Sequence, residues 1–203
     1  LKEVIDFWEK IRKERENLPY QIDGIVVSVN NNKIYEKLGV VGKAPRGAIA
    51  FKFPGKEATT IVENIIVQVG RTGALTPVAH LKPVSLGGTT ITRATLHNED
   101  EIKRLDVRIG DTVIIQRAGD VIPDVVKVLK KMRTGQGKKF QMPEKCPVCG
   151  AKAIKPVGEA IHRCSNNLCG AQQKERIYHF VSKKGFDIVG LGPKIIDKLM
   201  DER

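Results

Sequence analysis

Residues 59–70 read TTIVENIIVQVG, and this stretch opens the run of strand patterns that decides the fold. Four similar patterns follow, at 75–88 (LTPVAHLKPVSLGG), 89–97 (TTITRATLH), 112–120 (TVIIQRAGD) and 124–132 (DVVKVLKKM). Val, Ile and Thr, which fit a pleated surface, recur in them, and turn-forming residues separate them. Short strands at this spacing predict a small barrel or sandwich.

One helical pattern, HNEDEIKRLD at 97–106, interrupts the strands after the third of them. Five strands with a single helical insertion are typical of an OB-type barrel. The polar, glycine-bearing stretch RTGQGKK at 133–139 then predicts a connector. The predicted fold class is therefore multidomain and mainly β with some α, centred on a five-stranded OB-fold barrel.

Helices are predicted at both ends of the chain. Over residues 1–18, apolar residues recur at helical spacing: Val4, Ile5, Trp8 and Ile11. This helix has no capping residue before it, so we expect the chain to be a piece of a longer protein. Residues 171–203 predict a helix, a glycine turn and a second helix beginning near Pro193.

The composition points to a polyanionic partner. The chain has 203 residues, a formal charge of +12 and a pI near 9.6. Such a surplus favours nucleic acid or an anionic membrane surface, although a merely soluble basic protein is the alternative. No run of 18 apolar residues and no apolar secretory core are present. We therefore expect no transmembrane helix, and we expect nucleic acid rather than a membrane as the partner.

Four cysteines cluster late in the chain, spaced Cys146-x₂-Cys149-x₁₄-Cys164-x₄-Cys169. Two pairs of thiolates on tight turns can close a tetrahedron around Zn²⁺, which leaves no position for a catalytic water. The alternative is local disulfides or free thiols. We predict a structural zinc module, in a reducing cytoplasm, that takes its folding energy from the metal.

Gly190 and Gly192 flank Leu191 directly before the last predicted helix. Such a turn aims backbone N–H groups outward at a helix N-terminus, where a DNA phosphate is favoured. It resembles a helix-hairpin-helix motif, although a plain corner between helices would use similar glycines. Lys194, with Lys183 and Lys184, would add phosphate contacts or form a solvated face.

Two motifs near the start are weak when taken singly. In IDGIVV (22–27), Asp23 precedes a glycine and a strand, an arrangement that can hold a metal or a ribose. In AIAFKFP (48–54), Lys52 projects from an apolar strand, where a lysine is costly to bury unless it meets an anion. Ordinary turns and amphipathic strands produce both patterns.

Taken in order, the motifs of the whole chain resemble one family. DGIVV, AFKFP, QVGRTG, ATLHN, RIGD, RAGDVIP, CPVCG and the glycine turn follow one another as in NAD⁺-dependent DNA ligases of bacterial type. The resemblance implies the end of an adenylation (nucleotidyltransferase) domain at 1–54 and an OB-fold at 55–142. It further implies a four-cysteine zinc finger at 143–170 and the start of a helix-hairpin-helix domain at 171–203.

The resemblance also implies an activity, the sealing of nicks in duplex DNA. In that family a lysine takes AMP from NAD⁺, the AMP passes to the 5′-phosphate, and the 3′-hydroxyl displaces it, with Mg²⁺ neutralising phosphate charge. Nicked double-stranded DNA is the implied partner. We expect a monomer in the bacterial cytoplasm, associated with the nucleoid.

Site residues are implied position by position. Asp23 and Lys52 match the family's fourth and fifth nucleotidyltransferase motifs, which hold the adenylate, and Arg15 stands where the family has a functional arginine. DNA contacts are implied for residues in two segments: Arg71, Thr72, Arg117, Val121 and Ile122 in the barrel, and Gly190, Gly192 and Lys194 in the glycine turn.

The chain departs from the family pattern at three places. The nucleophile motif Lys-x-Asp-Gly is absent, because Gln21 precedes the single IDG, so the isolated chain should not form an AMP adduct. Ser28 stands where the fourth motif usually continues to a lysine, which either alters the adenylation site or is compensated elsewhere. Gly47 stands where a tryptophan is common, and we expect looser local packing there.

Two other classes of function stay open at this point. One is a non-catalytic, zinc-containing DNA-binding protein, which would not prefer nicked over intact duplex. The other is a zinc-dependent structural adaptor with incidental charge, whose binding would lack the steep salt dependence of phosphate contacts.

Overall fold

The structure is a computed structural model that describes residues 1–117, 122–135 and 137–202. The chain forms two compact units. The first consists mainly of Leu1–Lys56 and takes in Arg117, and the second comprises Glu57–Gln116 and the described residues from Ile122 onward. Within the described residues no helix has the length and apolar character needed to cross a bilayer.

The first unit pairs helices with short strands. Its elements are α1 (Lys2–Glu14), a 3-10 turn (Arg15–Asn17), β1 (Gly24–Ser28), α2 (Asn32–Leu38), β2 (Val40–Val41), β3 (Ala44–Pro45) and β4 (Ala48–Lys52). Strands β1 and β4 pair antiparallel, as do β2 and β3. Trp8 of α1 stacks on Phe51 of β4 with ring centroids 4.8 Å apart, which holds the predicted helix against the predicted strand.

Helix α2 was not predicted from the sequence because it has only seven residues. Its ends nevertheless carry ordinary signals. The side chain of Asn31 accepts a hydrogen bond from the Ile34 N–H at 3.2 Å, and Gly39, with φ of 68°, ends the helix. A short helix with both caps can form where its apolar pattern is too brief to be recognised.

The second unit is built on a closed barrel, as predicted. Its elements are β5 (Lys56–Val69), β6 (Ala74–Leu86), β7 (Thr89–Thr95), α3 (Glu99–Leu105), β8 (Thr112–Arg117) and β9 (Asp124–Val128). Strand neighbours run β6, β5, β8, β9, β7, and β7 pairs again with β6. Closure of a five-stranded sheet in this order, with one helix between the third and fourth strands, is the OB-fold arrangement.

Aliphatic side chains fill the barrel, as the low aromatic content requires. Val62, Ala94, Leu96, Val113 and Ile115 are completely buried there. The helix α3 adds Ile102 and Leu105 to this core. It begins at Asn98, whose side chain accepts a hydrogen bond from the Glu101 N–H at 2.8 Å, so the inserted helix is capped and packed against the barrel.

The remaining elements follow the barrel. A 3-10 turn (Lys130–Met132) is followed by β10 (Ala153–Ile154), β11 (His162–Cys164), α4 (Gly170–Val181) and α5 (Pro193–Asp201). Strands β10 and β11 form an antiparallel hairpin, and β11 also pairs antiparallel with β6. The cysteine-bearing hairpin thus extends the sheet of the barrel by two strands.

Candidate metal centre and nucleic-acid interface

The four cysteines converge on one point. Their sulfurs all lie within 4.8 Å of one another, with Cys146 and Cys169 separated by 4.0 Å and Cys149 and Cys164 by 3.5 Å. Four thiolates about 2.3 Å from a tetrahedral Zn²⁺ would lie about 3.8 Å apart, whereas a disulfide needs about 2.05 Å. The arrangement fits a structural zinc ion and does not fit the disulfide alternative.

Tight turns bring the sulfurs to this point. In the first, the Gly150 N–H donates to the Cys146 carbonyl at 3.0 Å, and Gly150 has a left-handed φ of 71°. In the second, the Cys169 N–H donates to the Asn166 carbonyl at 3.1 Å, while the Asn166 side chain accepts from the Leu168 N–H at 2.9 Å. Local turn geometry therefore prearranges both pairs of ligands.

The thiols of the cluster differ in acidity. The backbone N–H of Ala151 lowers the pKa of Cys149 to about 7. Burial raises the pKa of Cys164 to about 12 and also raises the pKa of Cys169. Metal binding must therefore displace protons from the buried thiols. His162 lies outside this ligand set, with its Nε2 4.0 Å from Glu99 Oε2.

The metal centre does not have a core of its own. Three ligands, Cys146, Cys164 and Cys169, are buried in one cluster with Val69 of β5 and Leu75 of β6. These two barrel residues flank the turn that follows β5. Side chains of the barrel therefore complete the core around the cysteines.

Asp23 and Lys52 meet directly. The Lys52 ammonium lies 2.6 Å from Asp23 Oδ2, and the two side chains are 61% and 59% exposed. The hydrogen bond from Lys52 holds the pKa of Asp23 below its usual value. Lys52 is therefore not buried, and the anion that it meets is a carboxylate of the same unit.

The glycine after Asp23 permits this approach. Gly24 lies opposite Lys52 in the β1–β4 ladder, and a Cβ at position 24 would lie 2.7 Å from both the Lys52 Cα and the Phe51 carbonyl oxygen. Only glycine allows the two strands to come so close here. The DG pair thus aligns its aspartate with the lysine of the facing strand.

Arg15 lies beside the residue that follows Lys52. Its guanidinium carbon is 5.4 Å from the centroid of the Phe53 ring, and its Nε is 3.4 Å from Glu16 Oε1. Glu16 also pairs with Lys56 at 2.8 Å. The structure thus pairs Asp23 with Lys52, whereas Arg15 packs against the buried Phe53, the residue that follows Lys52.

The two unusual residues of the first unit have distinct surroundings. Ser28 is exposed at the far end of β1, opposite Ala48, on the same face of the ladder as Gly24 and Lys52 because side chains alternate. Gly47 is buried, and a Cβ on it would lie 2.5 Å from the ring of Tyr35. That ring fills the space at position 47, so we find no looser packing there.

The barrel carries Arg71 and Thr72 on the turn between β5 and β6. Both are exposed, and the turn is closed by a hydrogen bond from the Gly73 N–H to the Gly70 carbonyl at 2.9 Å. Arg117 is the last residue of β8. Ile122 is 74% exposed, while Val121 falls outside the described residues. Of the implied DNA contacts, Arg71 and Thr72 thus lie on a turn, Arg117 ends a strand and Ile122 precedes β9.

The glycine turn near the end has the predicted form. Gly190 has φ of 86°, Gly192 caps α5, and Pro193 is its first residue. Lys194 is exposed in the first turn of that helix. The turn therefore precedes a helix N-terminus, as a phosphate-binding hairpin requires.

Sequence reasoning missed the residues that join the two last helices. The Tyr178 hydroxyl donates to Asp197, and Lys174 Nζ lies 2.7 Å from the same carboxylate. Lys174 and Tyr178 lie one turn apart on α4, and this spacing shows that their side chains lie on one face of the helix. The position of that partner on α5 could not be read from the sequence.

Comparison with known proteins places these segments in one family. Residues 1–56 match the model for the adenylation domain of NAD-dependent DNA ligases, residues 59–137 the model for their OB-fold domain, and residues 145–171 the model for their C4 zinc finger.

Relatives named DNA ligase match almost the whole chain. One from Marinobacter nauticus is 55% identical over 98% of this chain and 29% of its own length. Those from Halothermothrix orenii and Thermoanaerobacter sp. strain X514 are 53% and 56% identical, each over 98% of this chain and 30% of its own length. The chain thus spans about 30% of the curated relatives it matches.

Proposed function

This chain belongs to the NAD-dependent DNA ligase family, and we propose that it is the central, DNA-binding part of an enzyme that seals nicks in duplex DNA. The reaction would run through an enzyme–AMP and then a DNA–adenylate intermediate. The strongest support for the proposal is the combination of three features in one chain. These are the Asp23–Lys52 pair of an adenylation-domain end, an OB barrel and a four-cysteine module.

In this proposal Lys52 contacts the adenylate phosphate. Its present partner Asp23 is a surface carboxylate, and exposed ion pairs contribute only about 0–1 kcal/mol. Lys52 can therefore exchange the carboxylate for a phosphate at little cost. Asp23, aligned by Gly24, and Arg15, stacked beside Phe53, would complete the adenylate site. Mg²⁺, when bound, would neutralise phosphate charge.

The barrel would hold the DNA strands that flank the nick. Arg71 and Thr72 project from an exposed turn, where a guanidinium and a hydroxyl can donate to phosphate oxygens. The family resemblance implies further contacts of Arg117, Val121 and Ile122 with the DNA backbone and minor groove. A formal charge of +12 adds a long-range attraction to any polyanion.

The last segment would bind the duplex backbone away from the nick. Gly190 and Gly192 form the turn that precedes α5, and Lys194 adds a cation at the same helix end. The four-cysteine module lies between this segment and the barrel in the chain. Its closed thiolate set suits a structural ion rather than a reacting one.

The isolated chain should bind DNA without forming the first intermediate. It has no Lys-x-Asp-Gly, since Gln21 precedes Ile22-Asp23-Gly24. Mass spectrometry after incubation with NAD⁺ and Mg²⁺ should detect no increase by the mass of AMP. A stable adduct would contradict this part of the proposal.

Binding to nicked duplex is the decisive experiment. The zinc-loaded chain should bind a nicked duplex more tightly than the intact duplex of the same sequence. The logarithm of its binding constant should also fall with the logarithm of salt concentration, with a slope of about −0.9 per neutralised phosphate. Equal affinity for both duplexes would favour the non-catalytic DNA-binding alternative, and no binding in dilute buffer would refute the proposal.

We further propose that the parent enzyme acts as a monomer in the bacterial cytoplasm, where its DNA substrate lies. Gel filtration of the chain with multi-angle light scattering would test the oligomeric state.

A further inference from the structure

The turn Gly70–Arg71–Thr72–Gly73 has little structure of its own. Among the described residues, two backbone hydrogen bonds close it: the bond across Gly70 and Gly73, and one from the Gly70 N–H to the Ala74 carbonyl at 2.8 Å. The conformation of the exposed Arg71 and Thr72 therefore depends on what packs behind them.

The four-cysteine module packs there with its backbone. Strand β11 adds to β6 at the two positions that follow the turn, with Arg163 opposite Ala74 and His162 opposite Leu75. The N–H of Cys164 then reaches one residue further and donates to the Gly73 carbonyl at 2.9 Å. A metal ligand is thus hydrogen-bonded to the turn itself.

A buried side-chain amide also packs against the turn. Gln172 is 2% exposed, and its side-chain N–H donates to the Asn166 carbonyl at 2.9 Å. A Cβ added to Gly73 would lie 2.9 Å from this amide nitrogen and 3.3 Å from the Cys164 carbonyl oxygen. Gly73 therefore sits directly on the second cysteine turn, with no room between them.

Arg163 links the module to the turn through side chains. Its Nε and Nη2 donate to one carboxylate oxygen of Glu159 at 3.0 and 2.9 Å, and its Nη1 donates to the Thr72 hydroxyl at 3.3 Å. The carboxylate fixes the guanidinium, and the guanidinium in turn fixes the Thr72 side chain.

We infer that Arg163, held by Glu159, is a positioning residue for the turn Gly70–Gly73, so that the cysteine module sets the affinity of the barrel for nicked duplex. This inference rests on the proposed function of Arg71 and Thr72. It gives the module a role in DNA affinity that goes beyond holding its own fold.

The change in DNA affinity of Glu159→Ala tests the inference, because a simple charge effect and the loss of a positioning contact predict changes in opposite directions. Glu159→Ala removes a negative charge, which by itself strengthens binding to a polyanion. If Glu159 acts by holding Arg163, the same change weakens binding to nicked duplex by about threefold to tenfold, the range that one net hydrogen bond corresponds to.

Asp100→Ala is the matched control. Asp100 pairs with Lys155 of the same module at 2.9 Å, so this variant also removes one carboxylate from one module cation, but it leaves the contacts of Glu159, Arg163 and Thr72 in place. It should not weaken binding. Zinc content and thermal melting of both variants establish that each keeps its metal and its fold.

Two further measurements separate positioning from direct contact. The salt slope of Glu159→Ala should equal that of the unmodified chain, because no phosphate contact is lost. Without DNA, amide exchange at Gly73 and Ala74 should be faster in Glu159→Ala than in Asp100→Ala. A double variant with Thr72→Val should lose no more affinity than the more affected single variant, because both act on one bond.

The outcomes are distinct. Unchanged or tighter binding by Glu159→Ala, or unchanged amide exchange at the turn, overturns the inference. A slope reduced by about 0.9 in Arg163→Gln overturns it also, because Arg163 would then be a phosphate ligand. Failure of the unmodified chain to prefer nicked duplex refutes the proposed function instead, and amide exchange still decides whether Arg163 holds the turn.

Discussion

Arg133 clamps the buried carboxylate of Asp111 with two parallel hydrogen bonds, Nε to Oδ1 and Nη2 to Oδ2, each of 2.7 Å. Asp111 is 1% exposed. The same guanidinium donates to Asp106 Oδ2 at 3.0 Å and to the Asp106 carbonyl. The first residue of the predicted connector therefore ties the chain after β9 to the loop between α3 and β8.

Removal of this guanidinium should destabilise the barrel. Arg133→Met leaves the Asp111 carboxylate buried without its cation, which is among the most damaging changes to a folded protein. We expect the melting temperature of the second unit to fall by roughly 10 °C. Circular dichroism melts would measure it.

Arg104→Met is the matched control for this prediction. Arg104 also forms a two-bond pair, with Glu101 at 2.8 and 2.6 Å, but its side chain is 66% exposed. Its removal should change the melting temperature by no more than about 2 °C. An equal fall in melting temperature in both variants would show that the burial of Asp111 does not determine the loss of stability.

Acid should weaken the same clamp. The Arg133 guanidinium, with Arg108 nearby, lowers the pKa of Asp106 from 3.8 to about 2. Since the folded state favours the ionised carboxyl, its contribution to stability is present above about pH 4 and is lost as the pH falls from 3.8 toward 2. The melting temperature of Asp106→Asn should therefore fall less steeply over this range than that of the unmodified chain. Parallel curves would contradict the prediction.

Gly73 and Gly88 have nearly the same φ angle. Alanine substitutions at the two positions therefore separate the cost of close packing at the barrel turn from the cost of the backbone conformation. Gly73 has φ of +80° and Gly88 has φ of +81°, but only Gly73 has atoms within 4 Å of the position of an added Cβ. Gly88→Ala should cost about 1–2 kcal/mol, the cost of a left-handed conformation for alanine. Gly73→Ala should cost about 1–3 kcal/mol more, because Gln172 and Cys164 must move. Urea denaturation would compare them, and equal losses would refute the close packing.

Removal of the metal should loosen the cysteine module and the neighbouring barrel turn, but not the rest of the barrel. After chelation, amide exchange should rise over residues 145–170, as expected for a module that depends on its metal. It should also rise at Val69–Leu75, because Val69 and Leu75 share a cluster with three of the cysteines. Strands β8 and β9 should keep their protection. Cys146→Ser should reproduce this pattern, and an unchanged module would contradict it.

The sequence predicted elements whose signals are local. Strands β5 to β9 carry β-branched residues between turns, α3 has a side-chain cap at Asn98, and the four cysteines lie in pairs whose spacing alone allows a metal tetrahedron. The DG pair and Lys52 also form local patterns, but their roles as site residues came from the resemblance of the whole chain to one family. Each of these depends on residues that are close together along the chain.

Contacts between distant segments could not be predicted in this way. Arg133 and Asp111 are 22 residues apart, and Arg163 and Thr72 are 91 residues apart. Neither pair differs in the sequence from ordinary charged or polar surface residues. Their partners are determined by barrel closure and by the addition of β11 to β6, which no local pattern encodes. For the same reason Asp23 and Lys52 were each predicted as site residues, but not as partners of each other.

The DNA contact of the barrel turn can be tested through charge alone. Arg71→Gln keeps a long polar side chain but loses the cation, and it should weaken binding to nicked duplex roughly tenfold in dilute buffer. Because a neutralised phosphate is lost, the slope of the logarithm of affinity against the logarithm of salt should also shrink by about 0.9. Arg104→Gln removes the same charge from α3, where Glu101 already pairs with it, so its slope should match that of the unmodified chain. Filter binding over a range of salt concentrations would measure both. If the two variants share one slope, the attraction comes from net charge rather than from a phosphate held at the turn, and the assignment of Arg71 fails.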